Sequence, residues 1–164
     1  MSRIAGSLLA MLIVASVTAA TAGDNPLLGT WKLKSYVREV AATGERTNER
    51  GEHPNGYLSY SADGRMYAII TWDNRAPPAD LVPTDAERIK LYGSMIAYAG
   101  TYTWDAKKVV HHVDISWNQN WTGTDQVRFY KLDGNTLTIT SALAKNFTDG
   151  REGRSILVWE KLRP

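Results

Sequence analysis

Apolar and polar residues alternate along much of this chain, which is the spacing of β-strands that bury one face. In the first such segment, one face carries Trp31, Leu33 and Val37 and the other carries Lys32, Lys34 and Arg38. Further segments of this kind occupy 56–60, 65–72, 101–105, 109–117, 126–132, 135–141 and 155–162. Turn sequences at 61–64 (SADG) and 133–134 (DG) predict hairpins between neighbouring strands.

The central part of the chain predicts one helix. Thr84 and Glu87 have the spacing of a capping box, so the helix would begin at Thr84 and run to about Ala97. Its buried side would carry Ile89, Tyr92, Met95 and Ile96. The preceding stretch, 73–83, contains three prolines and cannot be regular structure. It would form either a lid over an open barrel end or a stiff connection.

The succession of short strands indicates an all-β fold. An open antiparallel sheet of this size would leave two unpaired edges and one large bare face, and closure into a barrel removes both problems. We therefore expect a single antiparallel β-barrel of about eight strands with one short central helix. A sandwich of two sheets is the structural alternative, and strand spacing alone does not exclude it.

The first 22 residues have the features of a secretory signal peptide. Arg3 precedes the apolar run 8–17, and Ala20 and Ala22 occupy the two small-residue positions of a cleavage site. Cleavage after Ala22 would leave a domain of residues 23–164 in the periplasm or outside the cell. The alternative is a retained membrane anchor, for which the run is short, since a span needs about 20 apolar residues. No later stretch of the sequence predicts a membrane span.

Composition excludes several classes of site. The chain has no cysteine, so disulfides, a thiol nucleophile and cysteine-based metal sites are excluded. It has 19 Lys and Arg against 17 Asp and Glu, and loss of Arg3 would leave 18 against 17. These charges are mixed along the chain, which gives no support to nucleic-acid binding. The 6 Trp and 8 Tyr suit the wall of a ligand cavity as well as a core.

Several runs of sequence resemble a known family. Gly29, Thr30 and Trp31 stand at the start of the first strand as the G-x-W of lipocalins does, and a basic residue, Arg163, follows the last strand. The runs at 56–66 (GYLSYSADGRM), 97–102 (AYAGTY), 111–116 (HHVDIS), 118–128 (NQNWTGTDQVR) and 157–160 (LVWE) are more specific. They resemble the lipocalin-like domain family of bacterial and fungal proteins, of the calycin type. The resemblance implies a small barrel with an interior cavity, but the long insertion at 42–55 and the central helix depart from the common lipocalin layout.

Residues 109–128 contain the most suggestive chemistry. Strand alternation places His112, Asp114, Ser116 and Asn118 on one face and Val109, His111, Val113, Ile115 and Trp117 on the other. If the first face is interior, Asp114 could fix the tautomer and basicity of His112 for acid–base catalysis. If it faces water, the same residues are ordinary surface residues. Alternation alone does not decide between the two.

The sequence thus predicts a set of ligand-binding residues: Tyr60, Tyr98, Tyr102, His112, Asp114, Ser116, Trp121, Gln126 and Arg128. In this set Trp121 would stack on the ligand at the barrel mouth, and Arg128 could pair with a ligand carboxylate. No metal site and no cofactor are expected, since the adjacent His111 and His112 point to opposite faces.

These observations favour a binding protein over an enzyme. We expect an exported protein whose partner is a small, mainly hydrophobic molecule held in the barrel cavity, with no nucleic-acid partner. One alternative is a cofactor-independent isomerase or cyclase that uses His112 and Asp114 as catalytic residues. Another is an envelope scaffold with a filled core. The sequence leaves the oligomeric state open.

Overall fold

The computed structural model describes residues 25–146 and 149–163, so the predicted signal peptide lies outside the described residues. Within them, ten strands form one antiparallel sheet. The strands are β1 (Gly29–Val40), β2 (Arg46–Thr47), β3 (Asn55–Tyr60), β4 (Arg65–Thr71), β5 (Met95–Trp104), β6 (Lys108–Ser116), β7 (Asp125–Asp133), β8 (Thr136–Ser141), β9 (Ala144–Lys145) and β10 (Glu152–Lys161). An α-helix, α1 (Asp85–Gly93), and a turn of 3-10 helix (Gln119–Trp121) complete these elements.

The sheet closes on itself because β1 pairs with β3 on one side and with β10 on the other. The order around the barrel is β1-β3-β4-β5-β6-β7-β8-β10, and the two-residue strands β2 and β9 pair with β1 and β10 at its rim. The result is a closed eight-stranded antiparallel barrel with one α-helix in the described part of the chain. This confirms the expected fold and excludes the two-sheet sandwich.

A β-bulge in β1 changes which residues face the barrel interior. The pairing with β10 slips by one residue between Leu33 and Ser35. One extra residue in a strand moves every side chain beyond it to the other face. Arg38, predicted on the outer face, is therefore inside and only 6% exposed, and Val37 takes the outer face. The prediction for these two residues was wrong because plain alternation does not reveal a bulge.

A second bulge, in β6, has the same effect. The register with β5 slips next to Gly100, with Asp114 as the extra residue. A Cβ at Gly100 would collide with the carbonyl oxygen of His112, so this close approach of two backbones requires glycine. Ile115, which alternation places on the same face as His111 and Val113, instead lies on the outside and is 63% exposed. Beyond the bulge it is Ser116 that turns to the inner face.

The capping box of the helix is confirmed, but its predicted end is wrong. The Thr84 hydroxyl accepts the backbone N–H of Glu87 at 3.3 Å, and the Glu87 carboxylate accepts the N–H of Thr84 at 2.7 Å. The helix ends at Gly93, since Met95 already pairs with Thr71 of β4. Pairing with β4 thus outweighs the tendency of this segment to extend the helix.

The helix lies on the surface of the barrel. It has no buried residue, and Ile89 and Tyr92 are 73% and 55% exposed. The predicted buried side was therefore wrong, since Met95 and Ile96 belong to β5. No helix in the described residues is long and apolar enough to cross a membrane.

One end of the barrel is filled by apolar side chains. Trp31 and Leu27 are fully buried there, and the Trp31 indole N–H donates to the Leu27 carbonyl at 2.8 Å. The Lys161 ammonium lies 5.3 Å from the centre of the Trp31 ring, so Lys161 supplies a cation at the tryptophan from within β10. This closed end leaves the opposite end of the barrel for a cavity.

Candidate functional site: the barrel cavity

A cavity of about 310 Å³ occupies the barrel end opposite Trp31. This volume lies at the small end of the range of ligand pockets. Its apolar and aromatic walls include Tyr36, Ile70, Ile96, Tyr98, Trp117, Trp121 and Leu157. Its polar walls include Arg38, Glu49, Arg50, Gln126, Arg128 and Ser141. A mainly apolar surface with a few placed polar groups is typical of sites for small organic molecules.

Three aromatic rings form one side of the cavity, which we call the aromatic wall: Tyr98, Trp117 and Trp121. The ring centres of Trp117 and Trp121 are 5.0 Å apart at 80°, and those of Tyr98 and Trp121 are 5.5 Å apart at 69°. These are favourable edge-to-face contacts. The 3-10 turn that carries Trp121 is capped by Asn118, whose side chain accepts the N–H of Asn120 at 3.1 Å. The turn therefore holds this ring in place against its neighbours.

Strand β7 directs Gln126 and Arg128 into the cavity. Gln126 pairs with His111 and Arg128 with Val109, and these two partners are both buried inside the barrel. The Arg128 guanidinium donates to the carbonyl oxygen of Val127 at 2.9 Å and to the Gln126 side chain at 3.3 Å. In the part of the chain that the structure describes, no Asp or Glu forms an ion pair with Arg128. Among the described residues the Arg128 guanidinium therefore stands in the cavity without a direct carboxylate partner, beside the Tyr98 hydroxyl.

The long insertion predicted at 42–55 supplies a further wall. Its Glu49 lies 3.1 Å from Nε of Arg38 and 3.8 Å from Nη1 of Arg50. The Arg50 guanidinium also lies 4.2 Å from the centre of the Trp72 ring, a cation–π distance. Arg38 also lies 3.9 Å from the Asp149 carboxylate, so two carboxylates balance the two guanidinium groups of this wall. Residues 73–83 do not line the cavity, so the predicted lid role is not supported.

A buried hydrogen-bonded chain lies beneath the cavity floor. His111 is 1% exposed, with Nε2 at 2.7 Å from the Tyr60 hydroxyl and Nδ1 at 2.9 Å from the Tyr98 hydroxyl. Burial, reinforced by the charges of Arg128 and His112, lowers the pKa of His111 well below its ordinary value. Burial also raises the pKa of both tyrosines, that of Tyr60 strongly. All three groups are therefore neutral near pH 7.

Sequence reasoning missed the role of His111. Alternation correctly places it on the same face as Val109 and Val113, but it assigns the predicted site residues of this strand to the opposite face. A histidine between two valines on a core-facing strand is itself a signal, since a buried imidazole needs hydrogen-bond partners. The tyrosines that provide them, Tyr60 and Tyr98, were predicted independently.

The structure brings part of the predicted set together. Four of its members line the cavity: Tyr98, Trp121, Gln126 and Arg128. Tyr60 and Tyr102 are inside the barrel but below the cavity, and neither lines it. The Tyr102 hydroxyl donates to the Ser61 carbonyl at 3.0 Å and accepts from the Asn25 amide at 2.8 Å. Its hydroxyl is therefore already used both as a donor and as an acceptor.

The other three predicted residues do not line the cavity. His112 lies on the outer face, where Nδ1 is 2.7 Å from the Asp125 carboxylate. Asp114 is also outside and accepts from Arg65 at 2.8 Å. The proposed interior pair of His112 and Asp114 was wrong because the odd-numbered residues of β6 face inward before the bulge. Ser116 shares the face of its partner Tyr98 but does not reach the cavity.

Comparison with known proteins agrees with this architecture. Residues 28–162 match the family of lipocalin-like domains. Part of the chain is similar to the 4'-hydroxy-3'-methoxypropiophenone carrier protein of Aspergillus oryzae (strain ATCC 42149 / RIB 40), with 32% identity over 87 residues. That alignment covers 48% of this chain and 78% of the relative. No solved structure gave a significant match. The family match spans nearly all of the described barrel, and the chain therefore belongs to the lipocalin-like domain family.

Proposed function

We propose that this protein is an exported carrier that holds a small, mainly apolar aromatic molecule in its barrel cavity. The observation that carries the proposal is the cavity of about 310 Å³, bounded on one side by the aromatic wall. Edge-to-face rings of this kind offer both faces and edges to a flat ligand. The relative named as a carrier of an aryl ketone supports the same class of ligand.

The polar lining supports binding of one ligand in one orientation. Gln126 and Arg128 offer hydrogen-bond donors from one strand, and the guanidinium is free of any carboxylate among the described residues. A few placed donors in an apolar cavity give orientation, while the apolar area gives affinity. The cavity walls therefore suit an aromatic body that bears an oxygen substituent.

The two competing hypotheses have less support. The enzyme hypothesis depended on His112 and Asp114 inside the cavity, and both lie on the outer face. The scaffold hypothesis requires a filled interior, which does not agree with a cavity lined by tryptophan and arginine. A carrier needs only the cavity and its lining.

Native mass spectrometry tests the carrier function. The full chain is expressed and purified gently from the cell envelope without detergents or apolar additives. We expect a discrete added mass that disappears on mild unfolding, and its value would identify the ligand class. Bare protein mass in repeated preparations would contradict a carrier that retains its ligand.

Export is proposed on the N-terminal sequence, and the same preparation tests it. If the segment containing Arg3 and the apolar run 8–17 is a signal peptide, the recovered protein begins at Gly23. Intact-mass measurement of the periplasmic fraction checks this. Full-length protein confined to the cytoplasm or to the membrane fraction would contradict export.

A further inference from the structure

In the buried chain of Tyr60, His111 and Tyr98, either direction of hydrogen bonding leaves one tyrosine O–H without a protein acceptor, and of the two tyrosines Tyr98 lines the cavity whereas Tyr60 does not. Tyr60 is 1% exposed, and within residues 25–146 and 149–163 its hydroxyl has the single partner Nε2 of His111. A buried O–H that finds no acceptor is costly. The Tyr60 hydroxyl therefore donates to Nε2, which must be the unprotonated nitrogen.

The proton of the imidazole then lies on its other nitrogen. A neutral histidine has one N–H and one acceptor nitrogen, and His111 is neutral because it is buried beside Arg128 with no carboxylate partner among the described residues. With Nε2 accepting from Tyr60, Nδ1 carries the hydrogen and donates to the Tyr98 oxygen at 2.9 Å. The reverse direction would leave the Tyr60 hydrogen buried without a partner.

Tyr98 consequently has a hydrogen to donate. Its oxygen accepts from His111, it lines the cavity, and in the described part of the chain no acceptor for its own O–H is present. We infer that Tyr98 is the donor for a ligand oxygen, and that the cavity selects aromatic compounds carrying a carbonyl group. Arg128 lines the same cavity and offers further N–H donors to the same oxygen. This inference rests on the proposed carrier function, and it specifies which ligand group the cavity recognises and which residue donates to it.

A matched pair of ligands tests the selection. The pair is 2-acetylnaphthalene and 2-isopropenylnaphthalene, which share one shape but differ in C=O against C=CH₂. We expect calorimetry to show the ketone binding about two- to tenfold more tightly, the range expected for one net hydrogen bond. Tyr98→Phe should weaken binding of the ketone more than binding of the hydrocarbon, which keeps its contact with the ring, and so reduce this preference. Tyr102→Phe is the control, since it removes an interior hydroxyl whose O–H is already used by Ser61.

Spectroscopy tests the direction of the chain separately. In protein labelled with ¹⁵N-histidine, long-range ¹H–¹⁵N spectra distinguish protonated from unprotonated ring nitrogens. The substitutions His53→Gln and His112→Gln remove the signals of the other two histidines, so that only the signals of His111 remain. We expect Nδ1 of His111 to be protonated and Nε2 to be bare. In infrared spectra, the carbonyl stretch of bound 2-acetylnaphthalene should shift to lower frequency in the wild type and shift less in Tyr98→Phe.

The possible failures are distinguishable. Equal affinity for ketone and hydrocarbon would overturn the carbonyl subsite and leave the carrier function standing. Failure of both compounds to bind would overturn the carrier function for this ligand class, and the subsite with it. A protonated Nε2 on His111, or loss of the preference in Tyr102→Phe as well as in Tyr98→Phe, would overturn the assignment to Tyr98.

Discussion

The guanidinium of Arg38 lies 3.1 Å from the carboxylate of Glu49, and this contact joins the inner wall of β1 to the insertion that borders the cavity. The Arg38 side chain is 7% exposed and that of Glu49 is 21% exposed. A guanidinium so deeply buried depends on its carboxylate partners, and of these Glu49 at 3.1 Å is closer than Asp149 at 3.9 Å.

Glu49→Gln should therefore destabilise the protein by about 2 kcal/mol, below the full cost of a deeply buried pair because Glu49 is partly exposed and Asp149 remains near Arg38. Urea unfolding followed by tryptophan fluorescence measures this change. The control is Glu160→Gln, which breaks the exposed pair with Lys34 and should cost less than about 1 kcal/mol. Equal losses in the two variants would contradict the structural role of the Arg38–Glu49 pair.

Burial of neutral His111 predicts a dependence of stability on pH. The unfolded chain binds a proton at this residue as the pH falls through the ordinary value of 6.5, whereas the folded protein keeps the imidazole neutral because its pKa is lowered. The unfolded state thus binds more protons below pH 6.5, and the free energy of unfolding decreases as the pH falls, by at most about 1.4 kcal/mol per pH unit.

Urea titrations between pH 6.5 and pH 5 compare the wild type with His111→Gln, in which the glutamine side chain can still donate and accept hydrogen bonds. We expect the variant to be less stable at pH 7 and to show a smaller decrease of stability over this interval. The same slope in both proteins would mean that other groups cause the pH dependence.

The aromatic wall predicts a loss of affinity when Trp121 is truncated. Trp121→Ala removes the ring that contacts both Tyr98 and Trp117, so binding of the neutral probe N-phenyl-1-naphthylamine should weaken about tenfold. Probe fluorescence measures the dissociation constant. Phe129→Ala is the matched control, since Phe129 is 49% exposed on the outer face of β7. A similar loss in the control would place the probe outside the cavity.

The positive charge of Arg128 in the cavity leads us to expect different effects of its removal on the affinities for an anionic and a neutral probe. Arg128→Met keeps the length of the side chain but removes the charge, so the affinity for 8-anilinonaphthalene-1-sulfonate should fall about tenfold relative to that for N-phenyl-1-naphthylamine. Arg65→Met, at an exposed arginine paired with Asp114, should leave this ratio unchanged. An unchanged ratio in Arg128→Met would show that the guanidinium does not meet the anionic group.

Most of the fold could be predicted because it follows from local signals. Alternation and the hairpin turns 61–64 and 133–134 identify the strands and their antiparallel neighbours, and the cost of open edges favours closure. The two bulges could not be predicted, since an extra residue in a strand is recognised only from its partner. The slip between Leu33 and Ser35 and the one beside Gly100 changed the face of the residues that follow them within β1 and β6.

The candidate site was predicted in part for the same reason. Gln126 and Arg128 lie on a strand without a bulge, and both line the cavity as predicted. Arg38 was assigned to the wrong face because it follows a bulge. His112 was placed with the candidate site because sequence alone does not distinguish the interior of a partly polar barrel from its surface.

The insertion that carries Glu49 and Arg50 also bears on how fast a ligand could be exchanged. It is attached to the barrel by the two-residue strand β2, by the pair between Arg38 and Glu49, and by isolated contacts such as the Asp73 N–H that donates to the Arg50 carbonyl at 2.8 Å, whereas neighbouring strands of the barrel are held by ladders of several backbone hydrogen bonds. Opening of this insertion would leave the backbone pairing between the eight barrel strands intact, so it can occur far more often than unfolding of the barrel. The residence time of a ligand would then depend on how often this insertion opens as well as on the affinity of the cavity walls.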